Sequence, residues 1–194
     1  SRIWNNRYPP DSVSHIYNHI AMSKVALQFI ILGLVLVLAQ VLVFNHICLF
    51  NVGVPMVFIY LIVRLPVTLA LNWVLTIGFF LGLIVDVFSD TYGMNAVACT
   101  VLAMIRRPVL RLYVPREEDL TRPEPSMLSL GAGVYMKYLL TLTLIYCALI
   151  FTIEAFTFFN PLQLLLRIIF STLLSMIIML GIDSIMTPRS EKRL

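Results

Sequence analysis

Charge is scarce in this sequence. Only 12% of its 194 residues are Asp, Glu, Lys or Arg, against about a quarter in an ordinary soluble domain. Apolar residues make up 60% and the mean hydropathy is +0.92, which excludes a water-solvated globular domain and points to a polytopic, all-α membrane protein. Cysteine is also sparse. Cys48, Cys99 and Cys147 lie in separate apolar stretches with no C-x-x-C spacing, so they read as small packing residues and not as metal or redox ligands. Of the histidines, His15 and His19 stand four apart, but no third or fourth metal ligand follows them, and His46 has no acid nearby. Without Ser, Cys, His and carboxylate groups able to converge, catalysis is not expected. No phosphate-cradling or dinucleotide glycine motif is present, so no cofactor is expected either. The net charge of +4 is not gathered into a basic domain, because Lys and Arg flank apolar runs; nucleic acid is therefore not an expected partner.

What the chain has is a succession of apolar runs. Residues 1–21 differ from the rest and precede "MSKVALQF", so they read as an N-terminal extension or tag remnant ahead of an integral membrane domain over 22–194. A spanning helix needs about 20 mostly apolar residues. Cutting the runs at their turn signals predicts six helices, at about 25–44, 50–66, 67–88, 96–113, 134–158 and 161–185. The "VRLP" at 63–66 divides the second from the third, because a residue before proline is pushed away from helical conformation. Pro161 opens the sixth, where proline suits a first turn. A competing division merges 50–88 into one unit and gives five helices.

Six helices place both termini on one side. The segments on that side hold Arg2, Arg7, Lys24, Arg64, Arg106, Arg107, Arg111, Arg116, Arg122, Lys137, Arg189, Lys192 and Arg193, whereas the loops around 45–50, 89–95 and 159–161 hold no Lys or Arg, and of the 14 basic residues only Arg167, within a helix, falls outside the pattern. Basic loops stay in the cytoplasm, so both termini are expected there. The five-helix division would put the arginine-rich 106–122 loop opposite Lys24.

Within "GFFLGLIVDVFSDTYGMNA", residues 78–96, Gly78, Gly82 and Asp86 recur at i, i+4, i+8 and share one helix face. Such a face of small residues either packs inside the bundle or docks a separate subunit. Asp86 falls about 28 Å along its helix, near the outer boundary of an apolar core about 30 Å thick. Either it forms an ionic cluster with Arg167, with or without Glu154, since intramembrane charges turn inward and pair, or its carboxylate reaches headgroup water. Arg167, Ser171 and Ser175 share a face of the sixth helix in the same way. Asp183 reads as an interfacial residue. The segment "RRPVLRLYVPREEDLTRPEP" at 106–125 is a solvated loop whose arginines meet anionic membrane lipid, or a docking site for a cytosolic partner through Arg106, Arg107, Arg111, Arg116 and Arg122.

Taken together the pattern resembles the bacterial rod shape-determining MreD family. The likeness rests on the six-helix body from Met22, on Pro55 opening the second span, and on a G-x-x-x-D, short loop, G-x-x-A run carried by Gly82, Asp86, Gly93 and Ala96. Position 56 is methionine where family members often have an acid. The resemblance implies a non-enzymatic subunit of the cell-elongation machinery in the bacterial cytoplasmic (inner) membrane. It implies association with the bitopic protein MreC, and through it with the actin-like MreB, RodA and a class B penicillin-binding protein. It also implies a fold similar to the S component of energy-coupling-factor transporters. That fold supplies the alternative expectation of a small-molecule (vitamin) uptake subunit, for which Asp86, Glu154, Arg167 and Asn72 are the candidate polar groups.

Overall fold

A computed structural model of the chain describes residues 11–42, 54–114, 123–155 and 160–186, with 11–23 as backbone alone. These residues form α1 (Asp11–Leu42), α2 (Tyr60–Arg64), α3 (Leu71–Ser89), α4 (Met94–Tyr113), α5 (Met127–Leu130), α6 (Ala132–Ala155) and α7 (Pro161–Met186), with no strand among them. Among the described residues four helices are long and apolar enough to cross a membrane: Lys24–Leu42 within α1, then α3, α6 and α7. The shorter of these have 19 residues, which at 1.5 Å per residue reach about 28 Å. Their outward faces keep Leu34, Val87, Leu162 and Ile177 exposed. Water would penalise that much contiguous apolar surface, whereas lipid solvates it. The chain is therefore an all-helical, multi-pass membrane protein.

The third, fourth, fifth and sixth expected helices have counterparts in α3, α4, α6 and α7, with ends displaced by a few residues. α1 runs back continuously through 11–24, so the backbone of the expected extension from Asp11 onward continues the first span. α5 was not expected. It is set by a capping box in which Ser129 N–H donates to Ser126 Oγ at 3.2 Å and Ser126 N–H donates to Ser129 Oγ at 2.9 Å.

The second expected helix, 50–66, is corrected. Residues 54–59 are not helical, and the helix is confined to the five residues of α2. Residues 50–53 lie outside the described residues. Val57, Phe58, Ile59, Tyr60, Ile62 and Val63 are wholly inaccessible, so this segment is the axis of the bundle. A span facing lipid must satisfy its own backbone by being helical, but one sheathed in protein can leave helical geometry if its neighbours supply partners. The apolar run reads the same in both cases, so composition could not separate them.

The neighbours do supply partners. On one side of the extended stretch, Val54 N–H donates to Ser171 Oγ at 3.0 Å and Met56 N–H to Ser175 Oγ at 2.7 Å, both on α7. On the other side the Gln40 amide of α1 donates to Pro55 O and accepts from Val57 N–H, each at 2.9 Å. Backbone groups of an extended chain alternate in direction, so Gln40 behaves like one residue of a neighbouring strand. Pro55 brings no N–H that would need a further acceptor. Below, Arg106 of α4 reaches Ile62 O in the last turn of α2 and Leu65 O and Pro66 O beyond it, and Arg107 reaches Val67 O and Leu69 O.

Replacing Gln40 with Leu strands a buried N–H and a buried C=O, each at a cost of about 1–3 kcal/mol. We expect Gln40→Leu to lower the thermal unfolding midpoint in detergent by more than either Ser171→Ala or Ser175→Ala. Equal midpoints for wild type and Gln40→Leu would refute this account of the central segment.

Candidate functional site

The turn between α3 and α4 gathers the residues of the "GFFLGLIVDVFSDTYGMNA" stretch. α3 stops at Asp90, which takes the left-handed conformation (φ 53°), and α4 starts from Gly93 (φ 80°). A glycine N-cap has no side chain to accept the first N–H groups of its helix. Asp86, from the preceding helix, accepts them instead: Asn95 N–H donates to Oδ1 at 3.0 Å and Ala96 N–H to Oδ2 at 2.8 Å. Asn95 Nδ2 at 2.9 Å and the Thr91 hydroxyl also donate to Oδ1. The carboxylate, 2% exposed, thus sits at the positive end of α4 with its charge met by donors from one local turn.

Gly82 lies one helical turn before Asp86 and faces the same part of α4. A Cβ there would fall 2.4 Å from Asn95 O and 2.6 Å from Ala96 Cα. At Gly78 a Cβ would meet Cys99 O and Ala103 Cβ at 3.0 Å. The i, i+4, i+8 face of α3 therefore meets successive turns of α4, and the two backbones approach because side chains are missing on one side and small on the other. Asn95 Oδ1 in turn accepts the hydroxyl of Tyr146 on α6, whose ring meets Phe58 edge-on at 5.8 Å and 86°. Gly82, Asp86, Gly93 and Ala96 form one clamp.

The expected Asp86–Arg167 pairing is corrected. Arg167 Nη1 pairs with Glu154 Oε1 at 3.2 Å, with both side chains partly exposed, while Asp86 is engaged by the donors of its own turn. Ser171 and Ser175, expected on one face with Arg167, are committed to the backbone of residues 54 and 56. The Glu154–Arg167 pair lines a cleft of about 330 Å³ between the ends of α6 and α7, with Asn160, Gln163, Phe151 and Leu164.

The arginines expected in a docking loop also divide. Arg106 is buried within α4, donating to Ile62 O at 2.9 Å, Leu65 O at 2.7 Å and Pro66 O at 2.8 Å. Arg107, half-buried, donates to Val67 O and Leu69 O. A guanidinium suits this task because its fork presents five N–H groups to carbonyls in different directions. Arg111 remains exposed. Arg116 and Arg122 lie outside the described residues, as do Cys48 and His46. Asn72 is exposed on α3.

Asp183, expected at the interface, is wholly buried. It accepts from the Tyr60 hydroxyl at 2.8 Å, Arg64 Nη1 at 3.1 Å, Met127 N–H at 3.1 Å and the Tyr135 hydroxyl at 3.3 Å. It thereby joins α2, α5, α6 and α7. The i, i+4 spacing of Tyr60 and Arg64 was a legible sign that both belong to one face, but nothing in the sequence tied that face to Asp183.

Compared with protein-family models, curated proteins and solved structures, the chain matches none. Among the described residues no three His, Cys, Asp or Glu side chains are grouped as metal ligands. Asp86 and Asp183 are each ringed by donors of the fold, which suits them to fixing helices more than to exchanging protons with a substrate.

A methyl group at Gly82 must push α4 away, so Gly82→Ala should destabilise by about 3 kcal/mol. Gly181→Ala, where a Cβ meets nothing within 4 Å, should be neutral or stabilising by about 0.5–1 kcal/mol. Unfolding midpoints in detergent test the pair, and similar midpoints would sink the close-approach argument. Asp86→Asn must turn an amide donor toward at least the Ala96 N–H donor and should lower the midpoint well beyond Arg167→Gln, whose parent pair is exposed and contributes about 0–1 kcal/mol.

Proposed function

We propose that this chain is a non-enzymatic scaffold of the bacterial cell-elongation machinery. It sits in the cytoplasmic membrane with both termini inside and crosses six times, through α1, the central segment, α3, α4, α6 and α7. It holds an MreC-like bitopic protein, and through it MreB, RodA and a class B penicillin-binding protein. The observation that carries this reading is the clamp: the four residues on which the MreD resemblance rests meet where α3 turns into α4, with Gly82, Asp86 and Ala96 buried, and each has a geometric task. A motif that fixes architecture suits a subunit whose work is to present a stable surface. The saturated carboxylates at Asp86 and Asp183 support the same reading. The six-crossing count is supported by the length of α4, 20 residues, and by the protein-sheathed path of the central segment.

A second reading, an S-component-like uptake subunit, is favoured by the cleft at the ends of α6 and α7. Glu154, Asn160, Gln163 and Arg167 converge there on a space of about 330 Å³, within the roughly 300–1,000 Å³ of small-ligand sites.

Depleting the protein from rod-shaped cells should round them. Affinity purification of the intact protein from mild detergent should bring an MreC-like partner with it. Gly82→Leu, checked for membrane abundance, should fail to restore rod shape. Cells that keep their dimensions after depletion would overturn the scaffold reading. A vitamin-sized molecule retained by the wild type and lost in Arg167→Ala would establish the uptake reading instead.

A further inference from the structure

At the end of α2 a cleft of about 430 Å³ is walled by α1, Met186 of α7 and Glu124. This places it within the roughly 300–1,000 Å³ range of small-ligand sites. One wall is mostly apolar, made by Phe29, Ile31, Leu32 and Val35 of α1 with Met186, and Gln28 is the polar residue at its lower end. Its far end is ionic, made by Arg64 and Glu124. Arg64 is 8% exposed. Its Nη1 is committed to Asp183 Oδ1 at 3.1 Å and to the Tyr60 hydroxyl at 2.6 Å. Its Nε stands 3.6 Å from Glu124 Oε2, longer than the roughly 2.7–2.9 Å of a charge-assisted hydrogen bond. The Glu124 side chain is 30% exposed.

An apolar wall ending in an ion pair fits an amphiphile. Ile31 and Val35 are 52% and 56% exposed, so the cleft opens sideways on the face of a helix that crosses the membrane, where a lipid can enter without crossing water. From Phe29 to Val35 the wall rises about 9 Å along α1, enough to guide the upper part of an acyl chain. The ionic end sets the head. Among the described residues at this end, two carboxylates, Asp183 and Glu124, face the Arg64 guanidinium, so a purely anionic head would add charge of the sign already in excess there. A head bearing both signs avoids this. Its cationic part must donate hydrogen bonds to engage the loosely held Glu124 fully, which a quaternary amine cannot do.

We propose that this cleft binds a phospholipid with a zwitterionic, primary-ammonium headgroup. The ammonium meets Glu124, the phosphate meets Arg64, and an acyl chain lies along Phe29, Leu32 and Val35. The site is independent of the scaffold reading, since it rests only on the chain being a membrane protein with this cleft.

The test titrates the intact, delipidated protein in detergent with phosphatidylethanolamine, phosphatidylglycerol, phosphatidylcholine and soluble phosphoethanolamine. Thermal midpoints and native mass spectrometry are the readouts. Phosphatidylethanolamine should raise the midpoint by several degrees and be retained in the mass spectrum, with the other two lipids clearly weaker. Glu124→Gln should reduce its retention about tenfold and abolish the preference over phosphatidylglycerol. Val35→Trp fills the cleft at an exposed position that tolerates bulk, and should reduce retention of every lipid. Equal shifts from all three lipids, or a preference for phosphatidylglycerol, overturn the headgroup assignment. Phosphoethanolamine matching the lipid overturns the role of the apolar wall, and unchanged retention in Val35→Trp overturns the cleft as the site.

Discussion

Everything in this bundle is arranged around one demand: a buried chain that is not helical must have its backbone groups satisfied by someone else. The segment from Val54 to Leu69 descends through the middle of the protein with a single five-residue helix. Its polar groups are met by Gln40 of α1, Ser171 and Ser175 of α7, and Arg106 and Arg107 of α4. Even Val67 N–H finds Pro123 O, in the connection before α5, at 2.8 Å. Each bond that keeps the segment satisfied also pins an outer helix to the axis. α1 and α7 present mostly apolar faces to their surroundings, and these few polar side chains specify where they sit.

The clamp between α3 and α4 answers a related demand at a helix end. α4 begins at a glycine that cannot cap it, and in a water-poor setting the first N–H groups of a helix need an acceptor. A neighbouring carboxylate supplies two oxygens and a favourable charge, and it reaches α4 only because Gly82 and Gly78 let the helices touch. The clamp is not isolated. Through Asn95 and Tyr146 it reaches α6, and through Phe58 it reaches the central segment. At the opposite end Asp183 and Arg64 tie α2, α5, α6 and α7 in the same manner. The polar residues of the interior are thus structural rivets at the two ends with a satisfied backbone between them. Two of the accessible polar features among the described residues, the Glu154–Arg167 pair and Glu124 beside the buried Arg64 at the end of the second cleft, lie at the margins, where a ligand or lipid can reach them.

Much of this was legible from residue spacing. The apolar runs near 25–44, 67–88, 134–158 and 161–185 correspond to the four helices fit to cross a membrane, because length and hydropathy alone decide that a helix can replace water with lipid. The shared face of Gly78, Gly82 and Asp86 was legible too, since helical periodicity fixes which residues point the same way. Periodicity does not say what they point at. The same rule that grouped Arg167 with Ser171 and Ser175 was silent on their targets, and those targets proved to be Glu154 and the backbone of 54–56.

The sequence by itself determined a multi-pass helical membrane protein and a G-x-x-x-D face on its third long apolar run, because both follow from local spacing and composition. Only the tertiary structure decided that residues 54–65 are a protein-sheathed core with only a five-residue helix, that Asp86 caps the helix after its own, and that Arg106 and Asp183 are interior residues. The reason is that a polar group's partner in an apolar medium is chosen by proximity in three dimensions. Ser171 lies 117 residues from the backbone it holds, and Asp183 lies 119 from its arginine.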